Sequence, residues 1–508
     1  MRRILELAVT LVALSLILAA CQAAPTPTPT KAPNPTSAPP LTASTPATAP
    51  PTPTKVAVAP TAVVPAPTSA PATPVAKGPA PTGKIVVVIT GEPDNFSSEN
   101  SNSKQVFQIG FNVWERLIER DPKTFELQGL LAESWEQVKP DTWRFKLRKG
   151  IKFQDGEPFN AEAVAATVNR ITDPARPEVT VTRYFPDIKQ GAKVVDEFTL
   201  DIVSGKPDPI MPLRAFFMVV DSPKFVKEAP EQRPTKVVGT GPYKFVEWVK
   251  GQFVRLTAND GYWGPPPPFK DVTFVWRGEP AVRAAMLLTG EVQVAQEITP
   301  EYAKKVKKAV SNATAETPMI RFNTLHPVFK DVRVRKAMDL AVDKKTLADT
   351  VMEGNATPAS HMFPPFVLGY DPSLKPAYDP EQAKKLLKEA GAEGSEFTFT
   401  TYKGRYARET ELAEAVVGYW TQIGLKPKLQ IVDVAKSREL SYIIGEACPP
   451  VHGIETGNEL GDASQSYESH VIKGGRQSCN YDENVTALLV AAGQLTGDAR
   501  VKKYQEVA

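Results

Sequence analysis

Hydrophobic and polar positions fall into two periods along this chain. Lys84-Ile85-Val86-Val87-Val88-Ile89 is a β-branched run closed by Gly91 and Pro93, which predicts a buried strand. Trp143, Phe145 and Leu147 alternate with Arg144, Lys146 and Arg148, and a turn at Lys149-Gly150 leads on to Ile151 and Phe153. That pattern predicts an antiparallel hairpin with one wet face. A second hairpin is predicted from Tyr243 to Leu256 about Lys250-Gly251. Elsewhere the apolar spacing widens to three and four. Asn160 caps a helix whose Val164, Val168 and Ile171 share one face. Asp331 opens another, carrying Val334, Ala337, Met338, Ala341 and Val342, and Asp343 restarts the chain through Leu347 and Val351 to Gly354. Asp379-Pro380 starts a helix that Gly391 stops, with Ala383, Leu386, Leu387 and Ala390 as its apolar stripe. Phe397-Thr398-Phe399-Thr400 and Leu429-Gln430-Ile431-Val432 read as strands flanking a helix from about Glu409 to Gly424. Trp420 follows Val416 and Val417 at helical spacing, which assigns it to the core. Interleaved strands and helices predict an α/β fold, without an internal repeat.

The N-terminus follows a different rule. Arg2 and Arg3 precede Leu7 to Leu18, a nearly continuous apolar stretch too short to span a bilayer comfortably. It ends Leu18-Ala19-Ala20-Cys21, which resembles the lipobox of bacterial lipoproteins. The resemblance implies a signal peptide over 1–20 and a diacylated Cys21 as the mature N-terminus. Residues 22–83 contain no aromatic and no acidic residue and are dominated by Pro, Thr, Ala and Ser. Such a segment cannot bury enough apolar surface to fold and is expected to be a disordered linker. In polyproline II geometry, at ~3 Å per residue, it could reach beyond ~100 Å.

Composition narrows the class. Lys and Arg number 60 against 57 Asp and Glu, a net charge of +3, so nothing in the balance points to nucleic acid. The 49 prolines are concentrated in the linker. Four histidines, His326, His361, His452 and His470, are scattered without ligand spacing, so neither a metal site nor a cofactor is expected. No G-x-S-x-G, H-E-x-x-H, Walker A or C-x-x-C motif is present, which argues against an enzyme such as a surface hydrolase.

Four groups of residues resemble a known family. The first is Trp114-Glu115-Arg116-Leu117-Ile118-Glu119-Arg120-Asp121, with Leu130-Leu131-Ala132-Glu133-Ser134-Trp135 and Phe153-Gln154-Asp155-Gly156-Glu157-Pro158-Phe159-Asn160. The second is Gly239-Thr240-Gly241-Pro242-Tyr243-Lys244-Phe245, then Asn259-Asp260-Gly261-Tyr262-Trp263-Gly264. Phe322-Asn323 with Asp331-Val332-Arg333-Val334-Arg335-Lys336-Ala337-Met338 is the third, and Tyr378-Asp379-Pro380-Glu381-Gln382-Ala383 the fourth. In this order they resemble the peptide/nickel-type solute-binding proteins of ABC importers, bacterial extracellular family 5. The resemblance implies a two-lobed clamshell: a first lobe over 84–320 with an extra subdomain, a second over 321–480, and a return to the first lobe over 481–508. Similar proteins continue beyond such a segment, so truncation at the C-terminus is expected.

The function so implied is a lipid-anchored, monomeric protein on the extracytoplasmic face of the membrane. It would close on short peptides and hand them to the importer's permease subunits. Asp462 lies where the family often has an acidic residue that takes the peptide amine, although the usual flanking aromatic and proline are missing; a loop aspartate capping a turn is the other reading. Lys403 and Arg405 are candidates for a ligand carboxylate, or solvated loop charges. By resemblance the segments containing Asn95 and Phe96, and His361-Met362-Phe363-Pro364, face the cleft. Cys448 and Cys479 form either a disulfide or two buried thiols. Nickel chelates held by His452 or His470, oligosaccharides, and a partner protein bound by a surface adhesin are the competing ligands.

Overall fold

The computed structural model describes residues 78–97, 103–173, 184–185, 188, 191–228, 232–403, 408–480 and 482–507. The leader, Cys21, most of the expected linker and Arg405 lie outside the described residues. Among the described residues no helix is long and apolar enough to cross a membrane.

The first lobe begins with β1 (Lys84–Ile89), the β-branched run. The chain leaves through α1 (Lys104–Gly110) and a short hairpin, β2 (Ile118–Arg120) and β3 (Leu127–Gly129). It then builds an antiparallel subdomain sheet from β4 (Ala132–Lys139), β5 (Thr142–Leu147), β6 (Ala192–Asp196) and β7 (Thr199–Val203), in the order β4-β5-β7-β6. Helix α2 (Ala161–Ile171) packs on this sheet, and Asn160 Oδ1 accepts from Ala163 N at 3.0 Å as its cap. The chain returns as β8 (Tyr243–Val249), β9 (Phe253–Ala258), β10 (Asp271–Trp276) and β11 (Val294–Ala295), completing a sheet of order β11-β1-β10-β9-β8. The β8–β9 hairpin turns at Gly251, whose φ of 75° suits glycine, as the sequence predicts.

The other predicted hairpin does not form. Strand β5 pairs with β4 and β7, while Ile151 and Phe153 are buried in the subdomain core beyond its end. Strand β4 was invisible to periodicity because its residues, Ala-Glu-Ser-Trp-Glu-Gln-Val-Lys, are mostly polar and 136–139 are all exposed, so burial does not alternate.

The second lobe carries β12 (Glu316–Phe322), α3 (Val332–Leu340), α4 (Pro380–Glu389), β13 (Glu396–Lys403), α5 (Glu409–Gln422), β14 (Lys426–Asp433), α6 (Val434–Ser441) and β15 (Val451–Gly457). Its sheet runs β12-β15-β13-β14, with β13 and β14 parallel across α5. Asp331 and Asp379 cap α3 and α4 as expected. Trp420 is core: buried against Phe397 and Phe399, it donates from Nε1 to Met338 O at 3.0 Å. Three helices close the described chain: α7 (Ser464–His470), α8 (Glu483–Gly493) and α9 (Gly497–Val507). Leu489, Ala492 and Tyr504 pack with Phe363, Val367, Ala463 and Tyr467. Residues 482–507 therefore join the second lobe rather than returning to the first.

The recurring motifs of the first lobe meet in one buried knot. The Glu115 carboxylate accepts from Tyr262 Oη at 2.8 Å and Trp263 Nε1 at 2.7 Å, and burial pushes its pKa up. Gln154 Nε2 donates to Tyr243 O at 2.7 Å, and Asn259 Nδ2 donates to Gly241 O at 3.0 Å. Gly241 N donates to Val113 O at 2.9 Å, and a Cβ at Gly239 would meet Val113 O at 2.3 Å and Trp114 Cα at 2.9 Å. Both neighbours are backbone and cannot step aside. Gly239→Ala is expected to lower unfolding free energy by at least ~1–3 kcal/mol, the range for overpacking a tight interior. Urea denaturation followed by circular dichroism measures this; a wild-type midpoint would refute it.

Candidate functional site

A cleft of about 4020 Å³ lies between the lobes. The first lobe contributes Gln105, Phe107, Phe111, Tyr184 and Phe216 to its lining, and the second contributes Tyr402, Glu455, Glu459, His470 and Gln477. Aromatic and guanidinium groups alternate in a stack that includes the lining residues Phe107, Phe111 and Phe216. Phe107 stacks on Phe111 at 5.0 Å, and the Arg116 guanidinium sits 4.0 Å from the Phe111 ring and 4.1 Å from Phe216. Arg120 lies 4.6 Å from the other end, over Phe216. Burial and the neighbouring Arg116 lower the Arg120 pKa to about 10.

Glu455 and Glu459 are among the carboxylates on the second-lobe wall. Glu455, on β15, accepts from Tyr402 Oη at 2.8 Å. Glu459, just beyond β15, accepts from Gln465 Nε2 at 2.5 Å and from the first lobe's Tyr184 Oη at 3.5 Å. Arg438 and Arg476 are among the arginines that line the same cleft. Arg476 donates to Ser469 Oγ at 3.2 Å and sits 5.9 Å over Tyr442. Among the described residues neither Arg438 nor Arg476 has a carboxylate within ion-pair distance.

The residues singled out from the sequence are placed differently. Asp462 has no exposed surface; its carboxylate takes Arg500 Nε at 2.8 Å and Nη2 at 2.6 Å, and Oδ1 also accepts from Ser464 N at 3.0 Å. Its charge is neutralised inside the lobe, so the amine-binding role does not fit this geometry. Phe96 is 1% exposed, edge-on to Phe245 and Trp248, and belongs to the first-lobe core. Asn95 accepts from Ser97 N at 2.9 Å in a local turn, leaving the neighbouring Asp94 on the cleft. Phe363 is 1% exposed and packs edge-on to Tyr467, although its segment, His361 to Pro364, does line the cleft. Lys403 is exposed at the end of β13, opposite Asp433 in register, and is not among the lining residues. Cys448 and Cys479 are joined as a disulfide that closes over β15 and α7. Sequence reasoning missed Glu459, because nothing local separates it from any loop glutamate; its position depends on Tyr184 and Gln465.

His452 and His470 sit deep in the second lobe. His452 is fully enclosed: Arg321 Nη2 faces Nδ1 at 3.4 Å, so Nδ1 accepts and Nε2–H donates to Ser437 Oγ at 3.1 Å. His470 is 6% exposed, and its Nδ1 is buried without a hydrogen-bond partner among the described residues. Burial first, and Arg321 second, lower both pKa values to about 3. The unfolded chain takes up protons near 6.5 that the folded chain refuses, so this contribution is intact above pH 6.5 and is lost as pH falls toward 3. His470→Gln is expected to flatten the fall of the urea midpoint between pH 6.5 and 4; an unchanged slope would contradict the assignment.

Comparison with known proteins agrees with this architecture. A profile of the middle region of the bacterial extracellular solute-binding proteins, family 5, matches residues 126–446. The glutathione-binding protein GsiB of Escherichia coli O1:K1 / APEC is 31% identical over 370 residues, 70% of each chain. GsiB of Escherichia coli K12 is 32% identical over 331 residues, 62% of this chain and 63% of that one, so the chain spans less than two thirds of that protein. Among solved structures, HbpA2 from Haemophilus parasuis superposes with a TM-score of 0.72 at 26% identity, covering 84% of this chain and 91% of the other. CtaP from Listeria monocytogenes, an ABC transporter substrate-binding protein, superposes with a TM-score of 0.75 at 22% identity, covering 84% and 90%. With the profile matched across more than half the chain, and a two-lobed fold around a cleft, the chain belongs to the bacterial extracellular solute-binding proteins of family 5.

Proposed function

We propose that the protein captures short peptides in its cleft and delivers them to the permease subunits of an ABC importer. On this reading it works as a monomer on the extracytoplasmic face of the membrane, held there by a lipid on Cys21. The observation that carries it is the pairing of chemistries on the second-lobe wall: carboxylates at Glu455 and Glu459, guanidinium groups at Arg438 and Arg476. A short peptide is a zwitterion, with an ammonium at one end and a carboxylate at the other, and charge-assisted hydrogen bonds serve both. The 31% identity to a glutathione-binding protein supports the same class, since glutathione is itself a tripeptide.

Within the cleft, Glu459 takes the ligand ammonium and Arg476, with Arg438, takes the carboxylate. Tyr184 and Gln465 orient the Glu459 carboxylate. Uncharged aromatic surface at Phe107 and Phe111 tolerates varied side chains. Water between wall and ligand extends that tolerance.

Native mass spectrometry of the purified protein is expected to show co-purifying short peptides, and calorimetry is expected to show binding of glutathione or dipeptides. Glu459→Gln should weaken the affinity roughly 10- to 100-fold, the equivalent of one charge-assisted hydrogen bond of ~1.5–3 kcal/mol, with little change in the ligand-free melting temperature. Thermal stabilisation only by sugars or metal chelates would overturn the peptide assignment.

A further inference from the structure

The short hairpin β2–β3 packs in the first lobe, yet it also reaches across to the second. Arg120, the last residue of β2, donates from Nη1 to Glu459 O and from Nη2 to Leu460 O, the latter at 2.8 Å. Leu460 is 5% exposed and is counted in the subdomain core with Leu117, Ile118 and Tyr184, although it is carried by the second lobe. At the hairpin tip the Phe125 ring stacks on Phe366 of the second lobe, centroids 4.0 Å apart and planes within 10°. Phe125 has a φ of 61°, a left-handed conformation unfavourable for phenylalanine. The turn is maintained by Asp121, whose Oδ1 accepts from Lys123 N at 2.8 Å and Thr124 N at 2.9 Å.

We infer that β2–β3 is a clasp that holds the two lobes together. Each of the three contacts joins groups on different lobes, so separation breaks all of them at once: two hydrogen bonds, one ring stack and the burial of Leu460. The clasp thus biases the chain toward the closed arrangement before any ligand arrives, and a ligand that needs closure binds more tightly in consequence. Arg120 acts here as a positioning residue. It touches the backbone on which Glu459 stands, not the ligand.

The test uses the full chain with two substitutions, Arg120→Ala and Phe125→Gly. Glycine accepts the left-handed backbone, so Phe125→Gly removes the ring without stressing the turn. Small-angle X-ray scattering of the ligand-free protein is expected to show a larger radius of gyration for both variants, and glutathione affinity is expected to fall about tenfold. Phe125→Tyr, which keeps the stack, should restore both. If Arg120→Ala fails to fold, Phe125→Gly decides alone, and scattering from it that superimposes on wild type overturns the clasp. The affinity arm rests on the peptide reading, and the scattering arm does not. Wild-type protein that ignores glutathione while the variants expand would therefore count against the peptide reading and for the clasp.

Discussion

A carboxylate 4% exposed is unstable unless every oxygen is supplied with donors, and Glu115 is so supplied by the Tyr262 hydroxyl and the Trp263 indole. Because those donors come from beyond β9, the segment 113–120 is tied to the far end of the first-lobe sheet. On the other side, Trp114 Nε1 donates to Asp221 Oδ1 at 2.8 Å, and Asp221 in turn meets Arg170 of α2 at 3.2 Å. One stretch of chain thus joins the main sheet to the subdomain. The Arg116 and Arg120 ladder, next along the chain, starts from that fixed root, and β2 carries it to the second-lobe carbonyls of Glu459 and Leu460.

The second lobe has a corresponding anchor. Asp462 and Arg500 are both buried, and the bidentate pair between them is stabilising relative to either charge alone, though a well-packed apolar pair could be as stable. Its use here is one of position: it ties the loop after β15 to α9. Gly461 adopts a φ of 70° beside the Arg120 guanidinium, so the backbone turns where the first-lobe cation approaches it. The Cys448–Cys479 disulfide spans the same region, and Asn323 and Thr324 bond the Cys448 and Cys479 carbonyls at 3.1 and 3.0 Å. By restricting the unfolded chain between those cysteines, the disulfide favours the segment that carries the inner strand β15 and helix α7.

The range of each interaction decided whether the sequence disclosed it or concealed it. Helices α2, α3 and α4 were legible because Asn160, Asp331 and Asp379 cap them locally and their apolar stripes repeat within the helix. The β8–β9 hairpin was legible from Gly251. Strand β4 was not, since its partner β5 sets its register and its second half is exposed on both faces. The candidate site was less legible still. Asp462 had an acidic side chain in a suitable place, but Arg500, 38 residues on, decides what that charge does. The motif residues Gln154, Gly239, Gly241 and Asn259 recur together because they touch one another, not because they touch a ligand.

On the proposed assignment, ligand contact and lobe closure converge on a single residue. Glu459 offers its carboxylate to the cleft while its own carbonyl is held by Arg120 of the opposite lobe. Coupling between two events is usually pictured as a route through many residues, and such routes need evidence of their own. Here the distance from one event to the other is the length of one side chain. A ligand drawing on the carboxylate favours the backbone position that Arg120 grips, and the grip in turn holds the carboxylate where the ligand arrives. By linkage the two effects must be equal in free energy, so the clasp can strengthen binding only as far as binding strengthens the clasp.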